Sequence, residues 1–157
     1  MANSITLGTQ LRRLLELLDG DVETAYRRAG LNFRPRYTPI FRALLREGAL
    51  SIKDVANLAC VTHSAASQTI AQMTREDLVQ IEMGRDRRER LVGLTPRALA
   101  MTPDLERCWA ATARAAASLD EDLSFELEPV LRAAVAALTA KPFLDRMVGP
   151  QDAYKKD

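Results

Sequence analysis

The stretch LSIKDVANLACVTHSAASQTIAQMTREDLVQIEMGRDRRERLVGLT, residues 50–95, decides the fold. It spells helix, tight turn, helix, and then a short hairpin with Gly84-Arg85-Asp86-Arg87-Arg88 at its tip. Ser51 caps a helix to about Leu58, with Asp54 as the acidic half of a capping box. Cys60-Val61 makes the turn. Thr62 caps a second helix to about Glu76, and Asp77 takes its C-cap. Val79–Met83 and Glu89–Leu94 read as two short strands around the arginine tip. A second helix so placed suits a DNA major groove, and a basic hairpin tip suits the backbone or the minor groove.

Upstream of this stretch, Leu7, Leu11, Leu14, Leu15 and Leu18 form the apolar stripe of an amphipathic helix over Ile5–Leu18. Asp19-Gly20-Asp21 interrupts or kinks it, and Val22–Ala29 is helical again with Gly30 as its C-cap. Pro39 begins a helix to Arg46 that Gly48 stops. Downstream, Thr95-Pro96 opens a further helix, which breaks near Thr102-Pro103 or continues with a kink. Phe125–Leu138 is another helix, apolar along Val130, Leu131, Val135 and Leu138. Residues 151–157 form a polar tail.

With 157 residues, 47% hydrophobic and 27% charged, the composition is that of one ordinary globular domain. No apolar run is long enough to span a bilayer, and no secretory signal is expected at the N-terminus. Cys60 and Cys108 are far apart and suit a reducing cytoplasm, each as a small buried hydrophobe. The net charge is +1, but residues 34–97 hold 11 Lys and Arg against 7 Asp and Glu, a balance of +4. The positive charge therefore sits with the helix-turn-helix.

On the second helix, Ala66, Ile70 and Met73 share one side, while His63, Ser64, Ser67, Gln68 and Gln72 face away. Gln pairs bidentately with adenine, and hydroxyls reach bases or phosphates. A merely solvated face would hold Lys and Glu, and none occurs between Thr62 and Thr74. Arg85, Arg87 and Arg88 gain from the negative potential of a narrow minor groove, although hairpin tips are often charged for solubility alone. Cys60 with His63, the single histidine, lacks two further ligands for zinc, so no metal site is expected. No catalytic constellation and no cofactor motif appears, and the chain does not read as an enzyme.

Three segments together resemble the MarR-type winged-helix transcriptional regulators. They are Gly30-Leu31-Asn32 with Thr38–Leu44, Leu50–Ala56 with Val61–Gln68, and Asp86-Arg87-Arg88 with Leu94-Thr95-Pro96-Arg97. The resemblance spans about Leu7–Leu138. Cys60, Asp77 and Ala98 stand where that family usually has glycine.

The resemblance implies a mainly α fold with a small β-wing. A winged helix-turn-helix lobe at 34–97 lies between dimerisation helices at 1–33 and 98–150. It implies a homodimer on double-stranded DNA, with Thr62, His63, Ser64, Ser67, Gln68, Gln72, Arg85, Asp86, Arg87 and Arg88 at the interface and Asp86 orienting Arg88. Members that respond to phenolic compounds suggest a pocket for a small aromatic effector lined by Phe33, Tyr37, Phe41 and Trp109, with core packing as the ordinary alternative.

The function so read is a sequence-specific regulator, a repressor of a pseudo-palindromic operator, in the bacterial cytoplasm on the nucleoid. A ligand- or redox-responsive sensor of the same family and a winged-helix protein-interaction module are the alternatives.

Overall fold

A computed structural model describes residues 6–84 and 90–147. Thr6 opens the first helix, α1 (Leu7–Arg28), by accepting the Thr9 N–H at 3.2 Å. The expected interruption at Asp19-Gly20-Asp21 does not occur, and the helix runs through. A glycine inside a helix costs only about 1 kcal/mol relative to alanine. Here Tyr26 is buried and Val22 packs on the core, which holds the C-terminal half of α1 in place. Thr24 Oγ1 also donates to the Gly20 carbonyl at 2.9 Å.

A 3-10 turn, Pro35–Tyr37, leads into α2 (Thr38–Glu47), which Gly48 ends at a φ of +82°. Leu50 makes a single bridge to Val92. Then come α3 (Ile52–Leu58) and α4 (His63–Arg75), the two helices of the helix-turn-helix. Ser51 Oγ accepts the Asp54 N–H at 3.1 Å and donates to Asp54 Oδ2 at 2.6 Å. The box therefore closes through the Ser51 hydroxyl.

Three helices end in the same way. After α1, Gly30 turns left-handed and the Leu31 N–H reaches back to the Tyr26 carbonyl at 2.9 Å. After α3, Cys60 at φ +54° does the same, with Val61 N–H on the Ala56 carbonyl at 3.0 Å. After α4, the C-cap is Glu76, and Asp77 takes the left-handed position at φ +55°, with Leu78 N–H on the Met73 carbonyl at 2.9 Å. These are Schellman endings, and only the first uses glycine.

Strands β1 (Val79–Met83) and β2 (Arg90–Leu94) pair antiparallel, Val79 opposite Leu94 and Met83 opposite Arg90. Thr95 is buried and fully engaged: its hydroxyl donates to the Asp77 carbonyl at 2.8 Å and accepts the Ala98 N–H at 3.1 Å. It thereby ties the end of α4 to the start of α5 (Pro96–Leu123). That helix passes through Pro103 unbroken.

The chain divides into two compact units, 1–111 and 112–157. The first holds one core, built from α1, α2, α3, α4, the wing strands and α5, with Tyr26, Tyr37, Phe41, Ile40, Met73 and Leu105 among its fully buried side chains. The second contains α6 (Leu127–Ala140) and α7 (Phe143–Met147), and neither helix buries a residue. Val130, Leu131, Val135 and Leu138 are exposed there. The N-terminal half of α1 is similar, with Leu7, Leu11, Leu15, Leu17 and Leu18 all open to solvent.

Candidate nucleic-acid interface

Ala66, Ile70 and Met73 anchor α4 in the core. With 3.6 residues per turn, that anchoring sends Ser64, Gln68 and Arg75 in the opposite direction, and all three are exposed. His63 is also exposed, on a flank near the start of the helix, and Ser67 is half-buried. Thr62 spends its hydroxyl on the helix, accepting the Ala65 N–H at 3.1 Å. Of the face expected from the sequence, Ser64 and Gln68 share an exposed surface, and no Lys or Glu lies between Thr62 and Thr74. Arg85, Asp86, Arg87 and Arg88 lie outside the described residues.

Gln72 has a different setting from its neighbours. Its amide nitrogen donates to Glu76 Oε1 at 2.6 Å, and its amide oxygen accepts from Arg75. Glu76 is the centre of this network. The same Oε1 accepts the Tyr37 hydroxyl at 3.1 Å and lies 3.4 Å from Arg34 Nη2, while the Glu76 backbone carbonyl accepts Arg97 Nη1 at 2.6 Å. One carboxylate therefore ties the end of α4 to the turn before α2. Burial raises the Tyr37 phenol above its ordinary value of 10.0, and Glu76 pushes in the same direction. Tyr37 therefore stays a neutral donor at physiological pH.

Sequence reasoning missed Arg34, Arg36, Arg75 and Glu76. The Arg34-Pro35-Arg36 pair of charges was the available signal, but nothing in linear spacing links residue 34 to residue 76.

A groove of about 510 Å³ runs between the Pro35–Tyr37 turn with α2 on one side and α4 on the other. Arg36, Ile40, Val61, Gln68, Gln72 and Arg75 are among its lining residues. A smaller hollow of about 300 Å³ lies against α2, beside Arg42, Arg46 and Leu58.

The structure brings Phe33, Tyr37, Phe41 and Trp109 together, with Tyr26 as a fifth ring, and buries them. Phe33 meets Tyr26, Tyr37 and Phe41 edge to face at 5.2, 5.5 and 5.5 Å, and Phe41 meets Trp109 at 6.0 Å. Trp109 Nε1 donates to the Tyr26 hydroxyl at 3.0 Å, and Arg42 stacks over the indole at 4.4 Å. The rings fill their space with one another, and neither groove is lined by Phe33, Phe41 or Trp109.

Cys60, expected buried, is exposed at the left-handed turn position between α3 and α4; Cys108 is half-buried. Among the described residues no cluster of His, Cys, Asp or Glu could hold a metal ion, and no helix is long and apolar enough to cross a membrane.

A helix-turn-helix with a two-stranded wing, followed by a long helix, defines the winged-helix class. Within that class the fold is that of the MarR family transcriptional regulators. A family member from Silicibacter pomeroyi superimposes with a TM-score of 0.62 at 24% identity, covering 86% of this chain and 96% of its own. The Mycobacterium tuberculosis regulator MOSR, solved in complex with DNA, gives 0.65 at 18% identity, covering 85% and 92%. Bordetella bronchiseptica BpsR, whose DNA binding is regulated by 6-hydroxynicotinic acid, gives 0.55 at 23% identity, covering 90% and 95%. At these identities the likeness is one of fold. No protein-family model matches the chain, and no curated protein matches it significantly.

Proposed function

We propose that this protein is a homodimeric, sequence-specific DNA-binding regulator of transcription that acts as a repressor on a pseudo-palindromic operator. The observation that carries the reading is the outward face of α4. A helix anchored by Ala66, Ile70 and Met73 presents Ser64 and Gln68 to solvent, with no Lys or Glu in its first three turns. Such a face is suited to base edges, and the wing arginines of the sequence supply the adjacent backbone or minor-groove contact. The fold shared with a regulator solved on DNA supports the same reading.

The dimer is proposed from the apolar faces. Leu7, Leu11, Leu15 and Leu18 on α1, and Val130, Leu131, Val135 and Leu138 on α6, are exposed in the single chain. Apolar area of this extent calls for a partner, and a second copy is the occupant that also places two recognition helices on two half-sites. The compartment that fits is the cytoplasm, and the chain acts without catalysis. A small aromatic effector is a second reading, favoured by the 6-hydroxynicotinic acid response of BpsR and by NadR in complex with 4-hydroxyphenylacetate.

The test separates specificity from affinity. Gln68→Ala is expected to cost about 1–3 kcal/mol on the operator and little on scrambled duplex, where phosphate contacts dominate. Equal losses on both duplexes in a competition assay at one salt concentration would remove Gln68 from base readout. Absence of salt-sensitive binding to any duplex would favour a protein-interaction module.

A further inference from the structure

The groove between the Pro35–Tyr37 turn and α4 carries an arrangement that the α4 face alone does not explain. Its two walls come from elements far apart in sequence, and each contributes one exposed arginine, Arg36 and Arg75. Between the arginines the lining includes the apolar Ile40, Val61 and Ala65, with Gln68 along the same groove.

The two cations stand at opposite ends of one chain of contacts. Arg36 lies over the Tyr37 ring at 5.6 Å. Tyr37 donates to Glu76 at 3.1 Å, Glu76 accepts the Gln72 amide at 2.6 Å, and the Gln72 oxygen accepts from Arg75. Both guanidinium groups are thus held from behind by side chains that are themselves fixed. Glu76 is the only acid in the chain of contacts, and its carboxylate is turned inward, 13% exposed, with Oε1 against Tyr37, Gln72 and Arg34 and Oε2 buried without a hydrogen-bond partner among the described residues. The groove is left with a positive rim and an apolar floor.

We propose that this groove takes one sugar–phosphate segment of the DNA backbone, with Arg36 and Arg75 binding its phosphates from the two walls. This rests on the DNA-binding reading above. Guanidinium groups match phosphate oxygens in geometry as well as charge, and the exposed Val61 and Ala65, with Ile40 buried beneath, offer an apolar surface to a deoxyribose. Gln68 and Arg75 sit two helical turns apart, about 10 Å along α4. A backbone segment held in the groove therefore fixes the depth and register at which Gln68 meets base edges. Gln72 and Glu76 are positioning residues for Arg75.

The experiment is a fluorescence-anisotropy titration of a labelled random-sequence duplex over a series of salt concentrations, with the full-length chain. Random duplex suffices, because phosphate contacts do not depend on sequence. Arg36→Gln and Arg75→Gln are each expected to weaken binding roughly tenfold and to make the slope of log K against log salt shallower by about one unit. Arg46→Gln, on α2 outside the groove, is expected to change neither quantity. Both groove arginines are exposed, and thermal melts followed by circular dichroism check that the variants fold.

Wild-type affinity and slope in both groove variants would overturn the phosphate assignment and leave the DNA-binding reading standing. An equal loss in Arg46→Gln would also overturn it, because the effect would then be one of general charge. A wild-type chain with no salt-dependent binding would sink the DNA-binding reading and this one with it.

Discussion

Phe41 and Val135 are both apolar side chains on helices, and the molecule treats them oppositely. Phe41 has no exposed surface and sits among Phe33, Trp109 and the rest of the aromatic cluster. Val135 is 66% exposed, on a helix that buries nothing. The same holds more widely. The unit at 1–111 closes around its own core, whereas the leucines at the start of α1 and the apolar stripe of α6 lie open in the single chain. Helical periodicity marks both kinds of face equally well. Only packing distinguishes a face satisfied within the chain from one left for another molecule.

The largest expected effect tests the closed side of that contrast. Phe41→Ala should cost about 3–5 kcal/mol in a urea melt, because a fully buried ring is lost from a cluster with little room to collapse. A loss under about 1 kcal/mol would mean that the cluster is looser than its edge-to-face geometry indicates.

Glu76→Ala comes next. It leaves the Tyr37 hydroxyl and the Gln72 amide without their acceptor and Arg34 without its partner. Hydrogen bonds to a charged group contribute about 1.5–3 kcal/mol each, and one such loss is the expected scale in the same melt. Glu76→Gln should recover part of it, and no difference between the two variants would show that the charge is irrelevant.

Val135→Asp sharpens the open side. Lobe stability should stay within about 0.5 kcal/mol of wild type, as for an ordinary surface substitution. Sedimentation velocity should show a shift toward the smaller species. A variant that kept the wild-type sedimentation coefficient would remove Val135 from the proposed dimer contact.

The narrowest effect is confined to alkaline pH and concerns Tyr37. Its folded-state pKa is raised, chiefly by burial, so its contribution to stability is complete below the ordinary value of 10.0 and is lost as pH climbs through the raised one. Tyr37→Phe should therefore remove an alkaline loss of stability and leave the neutral-pH profile nearly flat. Identical alkaline profiles in the two proteins would assign that loss to other groups.

The helix-turn-helix was legible because its punctuation is chemical. Ser51 and Thr62 are caps whose hydroxyls accept the N–H groups they were expected to accept, and Ala66, Ile70 and Met73 mark the buried side. Two local breakers left both a break and a kinked continuation open, and at both the helix runs on. Gly20 and Pro103 both lie inside continuous helices, α1 and α5. An interior glycine costs about 1 kcal/mol and an interior proline about 3 kcal/mol or more, and a long helix anchored in the core over one part of its length absorbs it.

The turn at Cys60 was legible, but the exposure of its thiol was not, because a small apolar residue reads as buried until its neighbours are placed. The Glu76 network and the groove were invisible for a simpler reason. They join residues 34–37 to residues 72–76, and no periodicity spans that interval. The wing tip, where Arg85, Asp86, Arg87 and Arg88 were expected to contact DNA, lies outside the described residues.

Trp109 gives the molecule an optical partition. It is the single tryptophan in the chain, it lies in the aromatic cluster of the 1–111 unit, and its indole is capped by Arg42 and hydrogen-bonded to Tyr26. Tryptophan emission therefore reports the lobe, while far-ultraviolet circular dichroism adds the helices of 112–157. Recorded in one denaturant titration, two coincident curves would show that both regions melt as one cooperative unit. Curves that separate would give each region its own midpoint, and protein concentration would move only the midpoint that depends on a second copy.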